Sequence, residues 1–416
     1  MPRSSLRARF ALSLTVTGTL AVFGLAVGSV GGCRRQEESK GGAPVSGAPS
    51  PSNSAAPAAA PAAAEPAPSG TLDYGKPGEP VHLVVGYQPY YSEAWSGVVI
   101  NGLELWKKHL PPQSTVEFKI GLQGAIIVNA MLAGKQHIGY VGDMPAIVGA
   151  TKRNVADLRI VANIGLGHDQ CNVFLTRKDA PQFGDGAAAV KWLDGKIVAV
   201  PKGSCTDRFA RAVFKKQNIN PGEYLNQNIE LITSGFRSNK LDGAVVWEPT
   251  ASRLVAEGLA RRVATGNDFG ENDGAFIDAR ADLIQQRPDV IKAWLEAELE
   301  AEQFLVDPKN GHEVARLAKA QTTGFDEKVL WQALFGAYPS SVGGAAQRLT
   351  IPFGFTPEGL ELIKRSTAFL YEVKSIAIPE LAADAVQPQF TEQILAERHL
   401  HAPVGSIAAS TEVASK

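Results

Sequence analysis

The chain has 416 residues, with 41 basic and 42 acidic side chains and a formal net charge of −1. The two signs are interspersed and no basic block occurs, which argues against a nucleic-acid partner. Three cysteines, Cys33, Cys171 and Cys205, are too few for a disulfide-framework scaffold.

At the N-terminus Arg3, Arg7 and Arg9 precede an apolar run over 10–30, which ends in Val30-Gly31-Gly32-Cys33. A basic start, an apolar core and small residues before a cleavage point are the layout of a secretory signal. The cysteine resembles the lipobox of bacterial lipoproteins, and that resemblance implies a signal over 1–33 with Cys33 as the lipidated residue. The competing reading is an uncleaved anchor, because the run is long enough to span a bilayer. Either way the rest of the chain is expected outside the cytoplasm, attached to a membrane. Residues 34–75 are mainly Ala, Pro, Ser and Gly. With so little apolar surface to bury they read as a disordered tether.

From Val81 short apolar runs alternate with amphipathic ones. Residues 82–87 read as a buried strand, 92–109 as a helix, and Val116, Phe118 and Ile120 as alternate positions of a strand. A helix over 125–132, a strand over 138–141, a turn over 142–145 and another helix follow. Strands are expected at 158–164 and 172–176. Next come a strand at 196–200, a helix at 206–217, strands at 229–233 and 243–247, and a helix at 250–258. From Asp278 on the chain reads as mainly helical. This order implies an α/β fold with mostly parallel sheets. Two strands, ending at Gly142-Asp143-Met144-Pro145 and at Trp247-Glu248-Pro249, close with an acid and a proline. Ligands of open α/β sheets bind outside such carboxyl ends.

Val85-Gly86-Tyr87-Gln88, Leu132-Ala133-Gly134-Lys135, Gly142-Asp143, Val200-Pro201-Lys202-Gly203-Ser204 and Val246-Trp247-Glu248-Pro249 occur in that order. Together they resemble the nitrate/sulfonate/taurine family of ABC-transporter substrate-binding proteins. The resemblance runs from about Val81 to about Ile376 and implies a two-lobed, periplasmic-binding-protein-like fold of type II. It places lobe one at 81–173 plus 263–400, lobe two at 174–262 and a flexible tail at 401–416. The function implied is capture of a small anionic or zwitterionic molecule and delivery to an ABC permease and its ATPase, by a monomer and without catalysis. An enzyme and a ligand sensor on the same fold are the alternatives. No G-x-S-x-G, phosphate loop or clustered His/Cys set supports the enzyme.

Lys202-Gly203-Ser204-Cys205-Thr206 leaves a strand and opens a helix, a place where unpaired N–H groups and the helix dipole favour an anion. Gly203, Ser204, Cys205 and Thr206 are therefore candidate ligand contacts, although Ser204 could equally serve only to cap its helix. Gln88, Tyr90 and Tyr91 after the first strand, and Gln123 at the next strand-to-helix junction, are further candidates, although the tyrosine pair reads equally as surface packing. Trp247 reads either as a pocket wall or as a core residue. His168 lies in a stretch, 167–171, that reads equally as a solvated loop. The span from Ile232 to Asp242 is shorter than the family pattern, which leaves Arg237 as an uncertain addition. Asp143, Asp169 and Glu248 fall near the expected cleft, with Lys202 and His168 as the nearby cationic residue types. A plain anion is repelled there unless those carboxylates are paired or turned away. Otherwise either the ligand carries a donor or cationic end as well, for which Asp143 and Glu248 are candidates, or a bound metal bridges acids and anion. No metal-binding spacing occurs and no cofactor is expected. Cys171 and Cys205 are expected as separate thiols, with a disulfide as the alternative.

Overall fold

The structure is a computed structural model that describes residues 71–411. The signal, Cys33 and the tether up to residue 70 lie outside the described residues. Residues 71–75, assigned to the tether, are instead docked. The backbone N–H of Leu72 donates to Asp282 Oδ2 at 3.0 Å, the Arg287 guanidinium donates to the Tyr74 carbonyl at 2.8 Å, and Tyr74 is buried.

Twelve strands run in chain order as β1 His82–Tyr87, β2 Thr115–Ile120, β3 Ile138–Gly142, β4 Leu158–Gly167, β5 Val173–Arg177, β6 Ile197–Val200, β7 Glu223–Asn226, β8 Gly243–Val246, β9 Ala260–Thr265, β10 Asp273–Arg280, β11 Gln347–Ile351 and β12 Gly405–Ala408. They form two sheets, ordered β12-β11-β4-β10-β3-β1-β2 and β7-β6-β8-β5-β9. Each sheet with its helices makes a lobe. The chain passes from one sheet to the other after β4 and returns after β9, through residues 168–172 and 266–272. Parallel pairing, expected to dominate, is confined to β2-β1-β3 and β7-β6-β8. The strands flanking the crossovers pair antiparallel, β4 with β10 and β5 with β9, because two neighbouring strands carry the chain out and back.

Four more expectations need correction. Residues 229–233 are not a strand but open the helix Ile229–Arg237, which buries Ile229, Ile232, Thr233 and Phe236 at helical spacing. Asn228 caps it, its side chain accepting from the Leu231 N–H at 2.8 Å. The strand of that region is β7, immediately before. β10 is fully buried and supplies the centre of the first sheet, although no strand is expected there and its last three residues fall in the stretch read as helical. β11 lies further along the same stretch. The expected tail contributes β12, which pairs antiparallel with β11.

The crossover is built from ions. Asp169 accepts from both Arg262 of β9, at 3.0 Å, and Arg348 of β11, and Arg262 also donates to Glu248 at 2.7 Å. All four side chains are buried, and the Tyr338 ring lies 4.0 and 5.0 Å from the two guanidinium carbons. Carboxylates and guanidinium groups removed from water persist only when paired in this way.

Cys171 and Cys205, expected as separate thiols, are joined by a disulfide with their Cα atoms 6.1 Å apart. Topology explains the meeting. β5 runs antiparallel to β8 and β8 parallel to β6, so the start of β5 and the end of β6 share one edge of the sheet. Cys171 precedes β5 and Cys205 follows β6, and the turn chemistry delivers both to that edge.

Candidate binding pocket between the sheets

A pocket opens where the carboxyl ends of both sheets face each other. Gln88 and Tyr91 follow β1, Gln123, Gly124 and Ala125 follow β2, and Gly142 and Pro145 end β3 and open the next helix. From the second lobe come the turn 201–205 after β6 and Trp247 after β8. This is the position at which α/β sheets hold ligands.

The turn after β6 supplies donors. The helix Cys205–Gln217 begins at Ser204, whose backbone is extended but whose hydroxyl makes no cap. That hydroxyl donates to the Pro201 carbonyl at 2.6 Å and lies 2.7 Å from Thr206 Oγ1. The Asp207 N–H donates back to the Ser204 carbonyl at 3.1 Å, and the missing side-chain cap leaves the Cys205 and Thr206 N–H groups at the helix start for an acceptor in the pocket. Gly203 reaches φ +78°, a left-handed conformation that glycine adopts freely, and its N–H donates to Asp207 Oδ2 at 3.1 Å. Gln88 uses one amide hydrogen on the Tyr140 carbonyl, at 3.1 Å. The Trp247 indole N–H donates across the lobes to the Tyr90 carbonyl at 2.9 Å, which fixes the ring as a wall. Lys202 holds its ammonium 5.1 Å from the centre of the Tyr224 ring.

Of the candidates from sequence, Gln88, Tyr91, Gln123, Gly203, Ser204, Cys205 and Trp247 come together here. Tyr90, Asp143, His168, Thr206 and Glu248 do not line the pocket. Tyr90 accepts from the Thr323 N–H at 3.0 Å and tilts against Phe325. His168 holds Nδ1 3.0 Å from the Glu271 carbonyl, and Thr206 is buried behind Ser204. Arg237 is exposed and pairs with Glu257 at 2.8 Å.

The three acids that the sequence places near the cleft have partners. Asp143, fully buried, accepts from Arg208 Nε at 3.2 Å and from the Ser366 hydroxyl at 2.8 Å. Asp169 lies between Arg262 and Arg348. Glu248 accepts from Arg262, from the Ser252 hydroxyl at 2.7 Å and from the Ser252 N–H at 2.9 Å. Burial raises the Glu248 carboxyl above its ordinary value, while Arg262 and Ser252 pull it back. Among the described residues no carboxylate lines the pocket. The condition set by the sequence for a plain anion is thus met, and the side chains that meet it were missing from the candidates. Arg208, Arg262 and Arg348 show no local motif. Their acids stand 65, 93 and 179 positions away in the sequence.

Among the described residues no group of three or more His, Cys, Asp or Glu side chains is placed to hold a metal ion. The cysteine in the pocket wall is tied up in the disulfide and presents no thiol.

Known proteins share this frame. The model of the NMT1-like family matches residues 76–319, well over half of the chain. The taurine-binding periplasmic protein of Escherichia coli (strain K12) is 28% identical over 219 residues, which are 49% of this chain and 64% of that protein. The match thus spans just under two thirds of that relative's length. The alkanesulfonate-binding protein SsuA from Xanthomonas axonopodis pv. citri, solved with MOPS bound, superposes with a TM-score of 0.58 at 19% identity. That match covers 74% of this chain and 98% of the other. The desulfurization enzyme DSZB superposes with a TM-score of 0.53 at 17% identity over 76% of this chain and 99% of its own. At such identities the two structures establish a common fold and nothing finer.

Proposed function

The chain belongs to the NMT1-like family, and from that premise we propose that it is an extracytoplasmic solute-binding protein that captures a small anion between its lobes. Delivery to an ABC permease and its ATPase is part of the same reading. The observation that carries it is the charge pattern of the pocket. Donors from Gln88, Gln123 and the uncapped helix start after Ser204 face a wall without carboxylates, and Asp143, Asp169 and Glu248 are each paired with an arginine. The ligand class follows as a small molecule carrying a sulfonate or similar oxyanion, and the taurine- and sulfonate-binding relatives agree with it. Asp143 and Glu248, first considered as partners for a cationic end of the ligand, act in this reading as structural anions behind the walls.

Thermal unfolding with taurine, short alkanesulfonates and nitrate tests the reading. A ligand present at a hundred times its Kd adds about 2.7 kcal/mol to stability, a readily measured rise in Tm. Stabilisation with the compound recovered unchanged is the expected result. Conversion of the compound to product would instead favour the enzyme reading, and no shift with any of them would remove the anion reading.

Lipid anchoring through Cys33 belongs to the proposal as well. It rests on the small residues 30–32 before that cysteine and on the Ala/Pro-rich stretch behind it. Fatty-acid labelling is expected to mark the wild-type protein and to be lost in Cys33→Ala. Absence of label from the wild-type protein, with the chain still in the membrane fraction, would point to the uncleaved anchor.

A further inference from the structure

Behind the pocket wall lies an acid pair that the binding reading does not use. Tyr91 lines the pocket and its hydroxyl donates to Glu93 Oε2. Glu93 sits in the short turn Ser92–Ala94, and the second carboxyl, Asp273, opens β10. Both are buried, Glu93 at 2% exposure and Asp273 at 0%. Among the described residues, neither oxygen of Asp273 nor Glu93 Oε1 faces a donor. Glu93 packs against Gly165 of β4, and Asp273 lies on the same face of β10, two residues from Ala275, the register partner of Gly165, so the two carboxyls are neighbours. Two buried carboxyls side by side, acceptors only when ionised and with no donor facing these three oxygens, cannot both be ionised. A proton held between them satisfies two of the three orphaned oxygens.

We propose that Glu93 and Asp273 share a proton behind Tyr91 and that this pair makes anion binding in the pocket proton-linked. The coupling rests on the anion reading above; the shared proton does not. Glu93 and Asp273 act through Tyr91 and are positioning residues, since neither lines the pocket.

The surroundings set the sign. Asp143, from the helix Asp143–Ala150, adds a negative charge near the pair, and Arg208, from the helix Cys205–Gln217, adds a positive one. Arg208 is already engaged by Asp143, by Glu271 at 3.4 Å and by the Asn272 carbonyl at 2.5 Å. Arg365 bonds Asn272 Oδ1 and lies 3.6 Å from Glu271, while Asn272 donates to Glu358 at 2.8 Å. His168 reaches only the Glu271 carbonyl. Desolvation is the main effect on the pair and raises both carboxyls above their ordinary range. Tyr91 is held neutral by burial and by Glu93, so it passes on the charge of the pair without changing its own. As pH rises and the shared proton leaves, a second negative charge appears behind Tyr91 and opposes an anion in the pocket. Anion affinity should therefore be higher at acid pH and fall as the pair ionises.

Two measurements on the full protein test this. Infrared difference spectra of the ligand-free protein should show the carbonyl stretch of a protonated carboxyl group near neutral pH, with amplitude lost in Asp273→Asn. An identical band in that variant would overturn the shared proton. Calorimetry with taurine and methanesulfonate should then show affinity falling roughly tenfold between about pH 6 and about pH 8.5, as expected for a charge a few ångströms behind the site. The double variant E93Q/D273N keeps an amide-to-amide hydrogen bond but carries no titrating group, so its profile should be flatter by that factor. Other ionisable groups are common to both proteins and cancel in the comparison. Equal profiles for wild type and double variant would overturn the coupling alone. Failure of both probes to bind at either pH would overturn the coupling together with the anion reading, while the infrared result would still decide the shared proton.

Discussion

Arg208→Met is expected to lower unfolding free energy by roughly 3–5 kcal/mol, the usual consequence of leaving a buried ion without its partner. Arg208 is 4% exposed and Asp143 is 0% exposed, and their contact joins a helix of the second lobe to a helix of the first. Removing the guanidinium strips Asp143 of its cation and leaves it only the Ser366 hydroxyl and the Met144 N–H. It also takes donors from Glu271 and from the Asn272 carbonyl. The double variant R208M/D143N removes the orphaned charge and should recover much of the loss, because a buried pair replaced as a unit is nearly neutral. Anion affinity should follow the same order. The single variant places an unpaired carboxylate beside the pocket and weakens taurine or methanesulfonate, and the double variant restores them. Denaturant unfolding and calorimetry on the two proteins check both halves. Equal stability of single and double variants would show that Asp143 gains nothing from Arg208.

This network also marks the limit of what the sequence disclosed. Strand-to-helix junctions announce themselves locally, through an apolar run, a glycine or small polar residue and then helical spacing. Gln88, Gln123, Gly203, Ser204 and Trp247 were legible for that reason. Acids beside the cleft were legible too, but not their state. Asp143, Asp169 and Glu248 looked like an obstacle to an anion, and only the tertiary placement of Arg208, Arg262 and Arg348 removes it. Glu93 and Asp273 were unreadable for the same reason. One lies in a turn after β1 and the other at the first residue of a strand that returns from the second lobe.

The errors of secondary structure have a common cause as well. Ile229 to Thr233 is short, apolar and β-branched, and a run of that kind fits either a strand or one face of a helix. Asn228 as a cap decides the matter, and the buried positions then continue to Phe236 with helical spacing. β10 and β12 depend on neighbours far away in the chain, β4 and β3 for the first and β11 for the second, and no local pattern marks them. Parallel order was overestimated because alternation of strands and helices says nothing about strands that cross between sheets.

Removing the Cys171–Cys205 disulfide is the second large effect expected. The bond closes a loop with a sequence separation of 34, for which restriction of the unfolded chain predicts roughly 3–4 kcal/mol at 25 °C. Its place gives it a further consequence. Cys205 is the first residue of the helix whose uncapped start faces the pocket, and Cys171 lies in the crossover just before β5. The bond therefore fastens the donor-bearing turn 201–205 to the segment on which the lobes meet. Without it, Ser204 and the first-turn N–H groups must be ordered by ligand at a cost in affinity. Wild-type protein reduced with a phosphine and the double variant C171S/C205S should behave alike, because what is lost is the tie and not a thiol. Both are expected to unfold at lower denaturant concentration and to bind methanesulfonate several-fold more weakly than oxidised protein. Thiol counting under non-reducing conditions should find neither Cys171 nor Cys205 free in the purified protein. Unchanged affinity after reduction would leave the bond as a brace for stability, with the turn held in place by Ser204, Asp207 and Asn226 through their hydrogen bonds alone.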